Sequence, residues 1–370
     1  MTPGRDARTA VFACITGGGT GGHVYPAIAI ADALVRAGHP AAEIHFVGAA
    51  RGMEATAVPA AGYTIDLLPG RGLRRSWRAV GANVRALLDT VRAFTDAWRI
   101  LGRRRPRVVI GVGGYASVPT VLAARVRRIP VVVHEQNATP GLANRIAVRL
   151  GARAAVSLPD TPLPRATLTG NPLRGPVVEA VWRPATDPRL VAVVGGSLGA
   201  RRLNDAALGV YDRWRDRHDV AVRHVAGRRN HDACVAELER LRRPGDHLRY
   251  ELVAYEDDMP RLYSRAQMMV ARAGAVTVAE LAAVGVPSVL VPLPGAPGDH
   301  QTRNARALVD AGAAVLLPDA DCDGAHLAAE LDALLAADAE VLGTMHRAAR
   351  SLARPDAADA VVALVEASAR

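Results

Sequence analysis

The sequence predicts an α/β protein of two doubly wound, Rossmann-like domains with a cleft between them, and three observations carry that expectation. Short β-branched apolar runs alternate with helical stretches across glycine or proline turns, as in βαβ units whose strands are buried on both faces. The pattern restarts halfway: "FACITGGGTGGH" (12–23) and "AVVGGSLGARRLND" (192–205) both read strand, glycine turn, helix. At 370 residues the chain exceeds what one ordinary core accommodates, so two cores are expected.

The elements follow in order. Strands are expected at 10–16, 43–48, 107–112 and 129–135, each a run such as "RVVIGV" or "IPVVVHE" that ends in a glycine or polar turn. The proline-rich stretch "SLPDTPLPRATLTGNPLRGP" (157–176) marks a boundary near residue 170. Beyond it, strands are expected at 189–195, 221–226, 266–272, 287–293 and 313–318. The domains are then 1–168 and 169–349. In such sheets ligands bind at the carboxyl ends of the strands, which would bring the glycine turns of both halves to a shared cleft.

Composition narrows the class. Half of the residues are apolar and 4% aromatic, with no apolar run near the roughly 18 residues of a spanning helix. The apolar run before the first glycines, about six residues, is too short for a secretory signal, so export is not expected. Cys14, Cys234 and Cys322 are odd in number and widely spaced, which argues against a disulfide framework or zinc site and fits a reducing cytosol. The net charge is +10, but Arg71 to Arg107 alone holds 11 Arg against Asp89 and Asp96, leaving the rest near neutral. The chain contains no lysine, which reads as a compositional bias of its source.

The glycine turns carry the chemistry. Gly17 to Gly22 satisfies G-x-G-x-x-G between a strand and a helix, yet "HFVGAARG" ends the next strand without the acid that a dinucleotide ribose requires. A glycine turn still aims backbone N–H groups and a helix dipole at an anion or a sugar oxygen. His23, in the first turn of that helix, is a candidate general base, since an unperturbed imidazole titrates near about 6.5; capping or packing is the alternative. "GVGGYAS" (111–117) is a second such turn, and "VVHEQNATPGLAN" (132–144) follows the next strand. Asn137 there suits a sugar hydroxyl or closes an Asx-turn; as a glycosylation sequon it lacks the secretory context.

In "MMVARAGAVTVAELAAVGVPSVLVPLP" (268–294), a strand ends at Arg272, Gly274 turns, and a helix is expected from near Thr277. The free amides of residues 275 to 277 suit a diphosphate. Thr277 and Glu280 have capping-box spacing, while a carboxylate one turn past a diphosphate also suits two ribose hydroxyls. His300 and Gln301 in "GDHQTRNA" offer further sugar contacts. "DADCDGAHLAAE" (319–330) fits an EF-hand pattern, but a strand precedes it where a helix is needed, so Asp323 is expected to cap a helix instead. No metal site or cofactor is expected.

Taken together, "GGGTGGHVYPA", "GVGGYAS", "HEQN", "TGNPLR", "VVGGSLGA", "EDDM", "GAVTVAELAAVGVP" and "HQTRNA" resemble, in order over about residues 10 to 320, the MurG family. That family transfers N-acetylglucosamine from UDP-N-acetylglucosamine to lipid-linked N-acetylmuramyl-pentapeptide. The resemblance implies the glycosyltransferase B fold, with an acceptor domain first, a donor domain second, and a final helix (about 350–370) that rejoins the first. It places Thr20, Gly21, Gly22, Asn137, Arg174 and Ser197 at the donor sugar nucleotide. It also places there the turn of Ala275, Val276, Thr277, Val278, Ala279 and Glu280, with Glu280 on the ribose and Gln301 on the N-acetylglucosamine. Backbone atoms near Glu256 would touch the uracil. Leu198 and Ala273 depart from members with glutamine and serine at those positions, so side-chain roles there do not carry over.

The implied reaction inverts the donor's anomeric carbon: the acceptor's C4 hydroxyl attacks and UDP leaves, with helix N-termini and Arg174 stabilising the diphosphate in place of a metal. In "WRAVGANVRALLDTVRAFTDAWRIL", Trp77, Val80, Val84, Leu87, Val91, Phe94 and Trp98 recur at helical spacing beside Arg78, Arg85, Arg92 and Arg99. That is either a helix packed on the sheet or a basic face docked on the anionic cytoplasmic leaflet, at roughly 1 kcal/mol per basic residue. Localisation as a peripheral protein of the cytoplasmic membrane face follows from the second reading. A different sugar-nucleotide enzyme of the same fold, needing no lipid acceptor, is the alternative within the fold. Nucleic-acid binding rests on charge alone and has no supporting motif.

Overall fold

The computed structural model of the chain describes residues 10–69, 80–114, 116–196 and 199–369, with residues 80–88 and 90 described by backbone alone. Residues 71–79 of the basic segment, as well as Ser197 and Leu198, therefore lie outside the described residues, and nothing is shown of the side chains of Val80, Val84, Arg85 and Leu87.

The chain divides into two compact units, Met1–Arg174 with Asp356–Arg370, and Gly175–Pro355. In the first unit the strands are β1 (Ala13–Thr16), β2 (Ile44–Ala49), β3 (Thr64–Leu68), β4 (Val108–Gly111), β5 (Val131–Glu135), β6 (Arg153–Val156) and β7 (Ala166–Leu168). They form one parallel sheet in the order β3-β2-β1-β4-β5-β6-β7. The connecting helices are α1 (Gly21–Arg36), α2 (Glu54–Ala60), α3 (Val80–Arg104), α4 (Ser117–Val126) and α5 (Leu142–Arg149). The second unit has α6 (Gly175–Val178), α7 (Arg201–Trp214), α8 (His231–Leu241), α9 (Met259–Arg265), α10 (Ala275–Val284), α11 (His300–Asp310), α12 (Gly324–Ala336) and α13 (Ala339–Ser351). Its parallel sheet runs β10-β9-β8-β11-β12-β13, from β8 (Arg189–Val194), β9 (Val220–Val225), β10 (Arg249–Val253), β11 (Met268–Ala271), β12 (Ser288–Leu290) and β13 (Ala314–Leu316). The last helix, α14 (Ala357–Glu366), belongs to the first unit.

Period-2 alternation builds the first core. Ala13, Ile15, Val108, Ile110 and Val132 face one side with α1 and the α14 residues Val361, Val362 and Val365. Cys14, Val109, Val131 and Val133 face the other with Ala93, Ala97 and Leu101 of α3. Burial raises the Cys14 thiol to about 12, so it is an inert core group. Arg36 pairs with Asp359 and His39 with Glu366, both at 2.9 Å, which ties α14 to α1 along its exposed edge.

Nine of the strands stand where the sequence places them. The four it does not show are β3, β6, β7 and β10. Strands β3, β7 and β10 are sheet edges whose residues alternate or lie half in water, so no continuous apolar run marks them. Strand β6, "RAAV", is alanine-rich and carries little strand signal. In α3, Phe94 and Trp98 pack partly against the core, and the Arg127 guanidinium lies 4.0 Å from the Trp98 ring centroid. That half of the apolar stripe therefore covers the sheet, while Val91, Arg92 and Arg99 face water.

Candidate active site

In each unit the strand order reverses beside the first strand, at β1/β4 and at β8/β11. The diverging loops leave a crevice at the carboxyl ends of those strands, the ordinary ligand position in such sheets.

At the first reversal two glycine turns interlock. Gly17, Gly18 and Gly19 hold φ of 157, 152 and 94°, and Gly113 and Gly114 hold 93 and 84°, backbone that side chains rarely tolerate. Gly18 N donates to Gly113 O at 3.2 Å. Thr20 is the N-cap of α1, so Gly21, Gly22 and His23 form its first turn. The His23 Nδ1 lies 3.5 Å from Thr20 Oγ1. A Cβ at Gly113 would sit 3.0 Å from His23 Nε2, so the imidazole packs against the second glycine turn and only a glycine leaves room for it. His23 thus shares the turn with Thr20, Gly21 and Gly22, half-buried and presented at the strand ends.

The "HEQN" stretch is a fixed polar scaffold. Glu135, 2% exposed, accepts from Asn137 N at 3.0 Å and Asn137 Nδ2 at 3.3 Å through Oε1. Its Oε2 accepts from Gly141 N at 2.9 Å and Asn144 Nδ2 at 2.8 Å. Asn137 is therefore held in a loop organised by Glu135, as donor to its carboxylate. His134 Nε2 donates to Gly170 O at 2.9 Å, so its Nδ1 accepts from Gln136 Nε2 at 3.1 Å. Arg174 stacks its guanidinium 4.4 Å from the ring centroid of Tyr25 on α1.

In the second unit α10 begins at Ala275 with Gly274 as N-cap, earlier than the sequence suggests. Thr277 is consequently the third helical residue, and the capping-box reading of Thr277 and Glu280 fails. The amides of Ala275, Val276 and Thr277 are the unbonded first-turn donors, a ready anion site. Val278 and Ala279 continue the turn, and Glu280 is 7% exposed with Oε2 accepting from Tyr263 OH at 2.8 Å. Ala273 is fully buried, and its carbonyl accepts from Asn304 Nδ2 of α11 at 3.2 Å, so that position acts through its backbone. Gln301 Oε1 accepts from Leu293 N at 3.0 Å, which orients its NH2 as the donating end. Glu256 is locked by Arg223 at 2.8 Å and by Asp258 N at 3.1 Å, so its loop offers backbone rather than carboxylate.

The acidic run 319–330 follows a strand. Asp319 pairs with Arg272 Nη1 at 2.6 Å. Asp323 accepts from Ala325 N and His326 N at 2.8 and 3.0 Å, capping α12 as its sequence suggests. Sequence reasoning missed Glu54, Asn144 and Tyr263; none sits in a glycine motif, and each acts through a fold-dependent contact.

Two buried histidines set an acid limit. Burial lowers His134 and His224 to about 4 from 6.5. His224 donates from Nε2 to Asn204 Oδ1 at 3.1 Å and accepts from Tyr250 OH at 2.9 Å. Both groups bind protons more weakly folded than unfolded. Their stabilisation is therefore present above pH 6.5 and lost as pH falls from 6.5 toward 4, roughly 3 kcal/mol for each. Urea midpoints are expected to drop between pH 7 and 5; a flat profile there would contradict neutral burial.

Known proteins match most of the length of the chain. The glycosyltransferase family 28 N-terminal domain matches residues 13–156, and the family's C-terminal domain matches residues 190–361. A Salinibacter ruber protein, named UDP-N-acetylglucosamine--N-acetylmuramyl-(pentapeptide) pyrophosphoryl-undecaprenol N-acetylglucosamine transferase, is 41% identical over 358 residues, 94% of each chain. The protein of the same name from Alkalilimnicola ehrlichii is 42% identical over 96% of this chain and 98% of its own. The crystal structure of Acinetobacter baumannii MurG superposes with a TM-score of 0.76 at 30% identity, covering 96% of this chain and 99% of that one. With both halves matched and relatives aligned end to end, the chain belongs to the MurG family of glycosyltransferases, in the two-domain glycosyltransferase B fold.

Proposed function

We propose that this protein transfers N-acetylglucosamine from UDP-N-acetylglucosamine to the C4 hydroxyl of undecaprenyl-pyrophosphoryl-N-acetylmuramyl-pentapeptide, a step of peptidoglycan synthesis. The observation that carries the reading is the start of α10, where three free amides stand one turn ahead of the buried Glu280 carboxylate. A diphosphate on the amides would leave the ribose hydroxyls at Glu280. The second unit is the donor domain, with Gln301 on the sugar and the backbone near Glu256 on the uracil. The first unit is the acceptor domain. Thr20, Gly21, Gly22, Asn137, Arg174 and Ser197 contribute donor contacts, Arg174 as a charge on the leaving diphosphate.

In the reaction the acceptor's C4 oxygen bonds to the anomeric carbon as the bond from that carbon to the diphosphate oxygen breaks. The hydroxyl proton passes to His23, and UDP leaves with the bonding electrons. UDP release measured with and without a soluble short-chain analogue of the lipid-linked muramyl pentapeptide tests this. Release that depends on the analogue supports the transferase; donor binding without such release would assign the first unit another acceptor.

The acceptor's lipid requires access to a membrane, and no helix among the described residues is long and apolar enough to cross one. The basic segment 71–107 supplies peripheral docking on the anionic cytoplasmic face, with Arg92 and Arg99 on the water-facing side of α3. Flotation with anionic liposomes is expected at low salt and lost at high salt; failure to float at low salt would remove the docking role.

A further inference from the structure

The β1–α1 turn is unusual in what holds it. Gly17, Gly18 and Gly19 all occupy positive-φ backbone, so the turn is costly to order and has no side chains of its own to pack. The group that fixes it comes from another element. Glu54, the first residue of α2, is 2% exposed and turns inward. Its Oε2 accepts from Gly19 N at 2.8 Å, one residue before the N-cap Thr20, and its Oε1 accepts from Ala49 N at 2.9 Å at the end of β2.

A helix-start acid that served only the dipole would stay in water, where the same favourable interaction needs no desolvation. Here the fold makes room for a buried carboxylate. A Cβ at Gly48 would lie 2.5 Å from Glu54 Cγ, and a Cβ at Gly18 or Gly52 would overlap the carboxylate itself. Three glycines from three segments thus clear space around one side chain. Both of its oxygens are spent on backbone donors of the turn and of the adjacent strand.

We infer that Glu54 is a positioning residue of the transfer reaction, whose buried carboxylate pins the glycine turn that carries Thr20, Gly21, Gly22 and His23. The inference rests on the function proposed above. Glu54 touches no reacting atom. It acts by holding the first turn of α1 in the geometry that presents the His23 imidazole.

Glu54→Gln is the sharp test, because a carboxamide of the same shape can accept from one of the two N–H groups but must face the other with its own NH2. Losing one charge-assisted bond at the turn is expected to lower kcat about 10- to 100-fold, and to weaken donor binding as well because Thr20, Gly21 and Gly22 ride on the same turn. Amide hydrogen exchange across residues 15–23 is expected to speed at least about tenfold, while residues 268–290 stay as protected as before. Gly52→Ala is the second variant; it keeps Glu54 but drives a methyl into the carboxylate, and the same pattern is expected. An activity loss that merely follows the loss of folded protein, or unchanged exchange at 15–23 in both variants, would overturn the inference. If wild type itself releases no UDP in response to the acceptor analogue, the assigned reaction fails, and the catalytic half of the inference with it. The exchange comparison then still decides whether Glu54 holds the turn.

Discussion

Replacing His23 by alanine is expected to lower kcat for acceptor-dependent UDP release by about 10²- to 10⁴-fold, the ordinary contribution of a positioned general base. Donor affinity should change little, since the α10 start and Glu280 lie in the second unit. The attacking hydroxyl becomes far more acidic as its oxygen bonds to the anomeric carbon, and a base at hydrogen-bonding distance takes the proton as that bond forms. His23 sits in the first turn of α1, half-buried beside the Gly113 turn at the strand ends. Because the fault lies in chemistry and not in binding, kcat and kcat/KM should fall together. A variant that turns over at near the wild-type rate would exclude His23 as the base.

Glu280→Gln is expected to weaken UDP binding by about 10- to 100-fold, measured by calorimetry with UDP alone. A carboxylate offers four acceptor positions and no donor, which matches two ribose hydroxyls plus the Tyr263 OH that already bonds Oε2. A carboxamide converts half of that acceptor set into donors that oppose the hydroxyl protons. Tyr263→Phe separates positioning from contact: it removes the 2.8 Å bond while sparing the carboxylate, and its effect should stay within about threefold. If Glu280→Gln binds UDP as wild type does, the carboxylate serves only to anchor α9 to α10.

Much of the site was written in the sequence because glycine has few substitutes where backbone must enter the left-handed region. The turns at 17–22, 111–117 and 195–200 announced themselves for that reason, and so did the central strands that precede two of them, whose β-branched residues are buried on both faces. The helix start at 275 was mislocated by two residues because Thr277 and Glu280 carry a capping spacing; Gly274 takes the cap instead, and Glu280 turns to Tyr263. The apolar stripe of 77–98 allowed both a core-facing and a membrane-facing helix. Packing of Phe94 and Trp98 on the sheet shows that the described end of it serves the core.

The sequence by itself determined the α/β class, the halfway repeat, the family and the glycine turns at the strand ends, since these depend on local periodicity and on residue types with special backbone freedom. Tertiary structure alone decided the edge strands, the Arg272–Asp319 pair that occupies the acidic run, and the burial of Glu54 and Glu280. The physical reason is common to all three. An edge strand exists only when a neighbour supplies hydrogen bonds, and a buried carboxylate exists only when donors from distant segments converge on it. Glu54 shows this most plainly: in the sequence it is one acid after "RGM", and in the fold it joins Gly19 to Ala49.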